Sequence, residues 1–259
     1  MTVLHEIPIT LICLAATVSA QAGHTPIQVV DLLRTVEGRQ QNSGDWRSVV
    51  YVEQREKGHD TVAFEMVTLR RSEDQKFLML FSAPKAARGQ GYLRVDKNLW
   101  FYDPSVGKWE RRTERERIGG TGSRRSDFDE WRFSEEYDPQ DGGEQMIGTH
   151  MTRRLILRGK PGLDLAFPIV HVWVDEDTQN VLKRQEFALS GRLLRTTYYP
   201  KWERVFSPSK RAEVWYPKEI RLYDDLEADK STLVLIKTVD PSPLAANLFT
   251  KAWLESQSR

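Results

Sequence analysis

The side chains that could carry acid–base or metal chemistry are scattered along this sequence. Five histidines stand at positions 5, 24, 59, 150 and 171, and no two of them have the spacing of a metal site. The single cysteine, Cys13, excludes an intrachain disulfide and any cysteine-based zinc site. No G-x-S-x-G or Walker pattern occurs, and Gly89-Gln90-Gly91 lacks the third glycine and helix of a dinucleotide site, so it reads as a turn. Carboxylates cluster at Asp127/Asp129/Glu130, Glu135/Glu136, Asp175/Glu176/Asp177 and Asp224/Asp225, each in or beside a polar turn. General acid work needs a buried or coupled carboxyl, and a calcium loop needs a regular acidic spacing that none of these has. His171 lies in the alternating run Val170 to Val174 and reads as a structural histidine. The expectation is therefore a protein that is not an enzyme, with no catalytic residue, no metal and no cofactor.

One stretch concentrates charge with aromatic surface. Residues 108–125 hold Lys108, Arg111, Arg112, Arg115, Arg117, Arg124 and Arg125 against Glu110, Glu114 and Glu116, with Trp109, Phe128 and Trp131 in and after them. A solvated charged loop is one reading. A mouth that meets lipid phosphates, or an acidic face of a membrane transporter, is the other. The same mixture suits single-stranded nucleic acid, but the formal net charge is only +1 and no nucleic-acid partner is expected. Gly119-Gly120-Thr121-Gly122-Ser123 reads as a flexible loop or, alternatively, an anion-binding nest.

The elements that must position these residues are mostly strands. Residues 7–20 are uncharged and largely apolar, too short to span a bilayer, and end in Val18-Ser19-Ala20. They read as a signal peptide within residues 1–22, cut after Ala20 or Ala22, although the segment ahead of the run carries no Lys or Arg. Ile12 stands where lipidation of Cys13 would need a small residue. The mature chain is expected to be thiol-free, exported and soluble in the periplasm. Thr25-Pro26 then opens an amphipathic helix over roughly 26–38, with Val29, Leu32, Leu33 and Val36 on one face. Alternating apolar segments follow from residue 46 to residue 239, separated by turn residues such as Lys57 to Asp60 and Asp96 to Asn98. About ten or eleven strands with one long helix do not suit a parallel α/β fold. The expected class is mainly β: one antiparallel sheet curling into a half-open barrel, with the N-terminal helix as a lid or plug. Residues 114–149 read as a long polar loop, and residues 241–259 as a short helical cap. With 259 residues and no linker, residues 23–259 form a single domain.

From Pro84 the chain shows Gly89 to Leu93, Trp100 to Pro104, Arg111-Arg112 and then Ser126-Asp127-Phe128 closing a Gly/Ser-rich loop, with Leu248-Phe249-Thr250 and Leu254 near the end. This ordered set resembles the outer-membrane lipoprotein-sorting family, the LolA-like periplasmic proteins. It departs at Arg125, where the family often has Gly, and at Asp103, where Leu is common. The resemblance implies a half-open barrel with helices covering its mouth and an apolar interior that accepts acyl chains. It also implies a soluble carrier, expected to be monomeric, that takes lipid or lipoprotein acyl chains, touches a membrane transiently and works with an inner-membrane transporter. Arg111, Arg112, Arg124, Arg125, Asp127 and Phe128 are its candidate mouth contacts. A lipid- or peptide-sensing regulator of the cell envelope is the alternative, and an enzyme using the cavity as a solvent-shielded template is a third.

Strand parity names the candidate cavity lining. Trp46, Val50 and Val52, Phe64 and Met66, and Phe77, Met79 and Phe81 share one face of three successive strands. In the third strand Leu78 and Leu80 would serve equally on the opposite parity. These side chains surround an open cavity or fill a packed core; sequence leaves both open.

Overall fold

The computed structural model describes residues 26–40, 44–71, 73–74, 76–95, 98–113, 117–124, 127, 131–227 and 229–258. The expected signal peptide, Arg125 and Phe128 lie outside the described residues. The chain opens with α1 (Pro26–Gln40), then β1 (Asp45–Glu56), β2 (Val62–Arg71), β3 (Lys76–Ala83), β4 (Gly91–Val95), β5 (Asn98–Asp103) and β6 (Lys108–Arg112). After a loop come α2 (Phe133–Glu136), β7 (Tyr137–Ile147), β8 (His150–Gly159), β9 (Ile169–Asp175), β10 (Val181–Phe187), β11 (Leu193–Ser207), β12 (Ala212–Asp224), β13 (Lys230–Asp240) and α3 (Lys251–Gln257).

The strands form one 13-stranded antiparallel sheet in the order β6-β5-β4-β3-β2-β1-β13-β12-β11-β10-β9-β8-β7. Two meanders are thus joined through the β1–β13 pair, which runs from Arg47↔Asp240 to Glu56↔Lys230. A twisted sheet of this width curls on itself. Its edges, β6 and β7, stay apart in the pairing order, which is the half-open barrel expected from the pattern.

One of the thirteen strands, β7, lies inside the stretch that reads as loop. Pro139 and Gly142-Gly143 break the strand signature. They are tolerated because β7 is an edge strand and its pairing with β8 shifts register between Asp141 and Glu144.

Both faces of the sheet carry apolar clusters. On the concave side, Val29, Leu33 and Val36 of α1 pack on Leu155, Leu157, Val170, Val172 and Val174 of β8 and β9. Their spacing puts one helical face on the sheet. Val50, Val52, Met66, Met79, Phe81, Leu222 and Val234 form a second concave cluster, on β1 to β3, β12 and β13. The outer face of β2 to β4 is closed differently: Leu69, Leu78 and Leu93 pack under Leu244, Phe249 and Leu254 of the C-terminal segment. That explains why Phe77 to Phe81 is apolar at every position. Odd residues face inward and even residues meet the tail, so α3, rather than α1, covers this strand's outer side. Gly91 permits the close approach, since a Cβ there would stand 2.7 Å from the Met79 carbonyl oxygen and 2.9 Å from a Leu254 methyl.

Candidate functional site

The β1–β2–β3 ladder aligns the candidate lining residues in rows. Val52 lies opposite Phe64, Val50 opposite Met66, and Met66 opposite Phe81. The next row is Ser48, Thr68 and Met79, and the last is Trp46, Arg70 and Phe77. All eight candidates share the concave face, but it is filled at one end and open at the other. Val52, Met66, Met79 and Phe81 are buried in close contact, with Phe64 stacked edge-on against Phe81 at 5.3 Å. At the other end Trp46, Val50 and Phe77 line a cavity of about 130 Å³.

The cavity forms where the concave clusters meet. Trp131 and Tyr199 come from the cluster under α1; Leu222 and Val234, on β12 and β13, come from the second cluster; Tyr216 stands edge-on to Trp46 with ring centroids 5.7 Å apart. Ile220 packs against both concave clusters and also lines the space. A concave, mostly apolar and aromatic surface with a few polar groups is the usual form of a small-molecule site.

Of the polar groups, the sequence pointed to Asp127 alone. Arg39, Arg70 and Arg184 line the cavity with Asp127, together with Ser48, Thr68, Ser123 and Thr197. Asp127, expected at the mouth in a solvated turn, is instead nearly buried. Its carboxylate accepts from Arg195 Nη1 at 2.9 Å and Nη2 at 2.7 Å. Arg195 also donates to Glu186, its direct cross-strand neighbour on β10, and Arg184 Nη2 lies 3.2 Å from Glu186 and 3.4 Å from Asp127. Burial pushes the Asp127 carboxyl up, but the charge and hydrogen bonds of Arg195, then the charge of Arg184, outweigh it and hold the group below the ordinary carboxylate range. The same pairing holds both buried guanidiniums above their ordinary value against the opposing effect of burial. Burial pushes the neighbouring Tyr199 phenol up to about 12.

Aromatic faces complete this wall. Arg184 stacks 5.3 Å from the Trp131 ring centroid, and Arg124 and Arg195 lie 5.3 and 5.2 Å from that of Phe167. Asp127 also accepts from the Arg124 backbone N–H at 2.8 Å, which closes the loop on itself. Asp127 of the Ser-Asp-Phe element thus has a physical role: it ties residues 117–124, through Arg124, to β10 and β11. The signal for this network is Arg184-x-Glu186 on one strand, facing Arg195 on the next. On a solvated face that pattern is commonplace and carries no signal of burial.

The other mouth candidates lie elsewhere. Arg111 is exposed on edge strand β6, opposite Trp100. Arg112 is half-buried, 2.7 Å from Glu110 and 5.2 Å from the Phe101 ring centroid. Neither lines the cavity. His171 is half-buried against Phe187 and Trp173, and burial, then Arg154, Arg158 and Lys183, lowers its pKa.

A family model described as an uncharacterized protein matches residues 73–256, most of the chain. The chain belongs to that family, and its fold is LolA-like. Three solved structures place the fold. A LolA superfamily protein from Nitrosomonas europaea is 20% identical with a TM-score of 0.71, over 87% of this chain and 98% of its own. A putative outer membrane lipoprotein-sorting protein domain from Vibrio parahaemolyticus is 16% identical with a TM-score of 0.75, over 89% and 100%. A DUF1329 family protein from Desulfovibrio piger is 17% identical with a TM-score of 0.77, over 89% and 100%. Curated proteins gave no match. The LolA-like half-barrel is thus kept at low identity, as expected where parity and packing, rather than particular residues, define the sheet.

Proposed function

We propose that this protein is a non-enzymatic carrier that takes the acyl part of a lipid or lipoprotein into the concave cavity and hands it between membrane partners. The observation that carries the reading is the cavity itself, lined by Trp46, Val50, Phe77, Leu222 and Val234 on a LolA-like half-barrel. The physical need is plain. An acyl chain taken from a membrane into water loses roughly 0.8 kcal/mol per CH₂, so ~14 methylenes cost on the order of 10 kcal/mol unless protein replaces the bilayer. Periplasmic residence, proposed from the apolar N-terminal run and from the lipoprotein-sorting description of a structural neighbour, puts such a carrier between two membranes. An inner-membrane transporter is the proposed donor.

The reading is tested by purifying the protein natively from the periplasm and extracting it for lipid mass spectrometry. An acyl-bearing molecule in near-stoichiometric amount is the expected result. A folded, lipid-free protein that also fails to bind an uncharged lipophilic dye would contradict it.

A further inference from the structure

An apolar pocket for acyl chains alone would not need the polar wall described above. Three residues of that wall carry a buried polar atom with no hydrogen-bond partner among the described residues: Ser123 Oγ, Arg184 Nε and Thr197 Oγ1. All three line the cavity, and all are more than nine-tenths buried, with 1%, 6% and 1% of their surface exposed. Leaving a buried polar group unpaired is costly, so one such atom calls for an explanation and three around one cavity call for a common one.

The chemistry of these atoms identifies what is missing. The guanidinium Nε–H can only donate, and both hydroxyls can donate. The charged residues lining the cavity are Arg39, Arg70, Arg184 and Asp127; Arg184 and Arg195 are matched by Asp127 and Glu186, and Asp127 is already bonded by Arg195. Among the described residues Arg39, at the end of α1, donates to neutral oxygens, those of Thr178, Gln179 and Asn180. Unpaired donors in a low-dielectric wall, with the charge of Arg39 on the same cavity, favour an acceptor-only, anionic group.

We propose that the cavity binds an amphiphile whose acidic head, a carboxylate or a phosphate, is held inside against Arg184, Ser123 and Thr197, with its tail along the apolar lining. This rests on the carrier reading and adds the class of cargo: single-headed anionic lipids rather than any acyl chain. Head and tail then lie in one cavity, with the polar wall on the β10–β11 side and the apolar surface on β1, β12 and β13.

The test displaces the uncharged dye N-phenyl-1-naphthylamine from the whole folded protein at pH 8. The competitors are palmitate, hexadecyl phosphate, methyl palmitate and inorganic phosphate. Palmitate or hexadecyl phosphate is expected to act at least ten-fold below methyl palmitate, and the more potent of the two identifies the head. Inorganic phosphate is expected to displace nothing. Thr197→Val and Ser123→Ala, which leave the Asp127 ion pairs intact, should reduce the acid-to-ester preference several-fold. Equal potency of acids and ester overturns the head assignment while leaving the carrier reading standing. Displacement by inorganic phosphate as strongly as by the acids overturns the amphiphile. Failure of every competitor overturns both readings together.

Discussion

Asp127 and Arg195, separated by 68 residues in sequence, meet in a two-point ion pair at 2.7 and 2.9 Å beside the cavity. The pair ties the loop after β6 to the start of β11, and Glu186 and Arg184 extend it to β10. It shapes one wall of the cavity and holds the loop that delivers Ser123 to it.

Neutralising Asp127 leaves two buried guanidiniums to share the single carboxylate of Glu186. Asp127→Asn is expected to destabilise the protein by about 3–5 kcal/mol at neutral pH, read as a lowered midpoint in urea. Because the folded-state pKa of Asp127 is depressed, its stabilisation is present above the ordinary carboxylate range and is lost as pH falls through the folded-state value. The difference between wild type and variant should therefore narrow on acidification below about pH 4. A gap that stays constant from pH 7 to pH 3 would contradict the pairing.

Filling the cavity should separate binding from folding. Ile220→Trp places a larger side chain where the two concave clusters meet. Overpacking of this kind costs about 1–3 kcal/mol. The expected outcome is a cooperative thermal melt at a modestly lower Tm, with dye binding reduced at least ten-fold. Undiminished binding in the folded variant would place the ligand elsewhere.

The C-terminal cap is expected to be structural. Leu254 is fully buried against the outer face of β3 and β4, and Leu254→Ala should cost about 2–5 kcal/mol by urea titration, with dye affinity unchanged in the folded protein. Gly91→Ala should destabilise in the same assay, because the added methyl meets backbone as well as the Leu254 side chain.

Most of the architecture could be read from alternation. The parity of β1 sorts one face from the other because that strand is one-sided, and the turn at Lys57-Gly58 sets its pairing with β2; Gly58 takes a φ of +79° there. In β3 parity was silent, since the C-terminal tail covers the second face and both sets of residues are apolar. β7 was hidden by Pro139 and Gly142-Gly143, residues that only an edge strand tolerates. The apolar lining was partly legible through Trp46, Val50 and Phe77. The polar wall was not. Arg184, Glu186 and Arg195 are ordinary surface residues until β10, β11 and the Asp127 loop bury them together, and no local pattern records a contact between residues 127 and 195.

The central claim, that this cavity holds an acyl chain, is tested most directly by photo-crosslinking with a palmitate analogue carrying a diazirine in its tail, followed by peptide mass spectrometry. The account predicts modification confined to cavity-lining residues such as Trp46, Val50, Phe77, Val234 and Ile236, and suppressed by excess palmitate. Labelling that falls instead on exposed apolar residues such as Leu189 and Phe206, or that excess palmitate does not suppress, would contradict it.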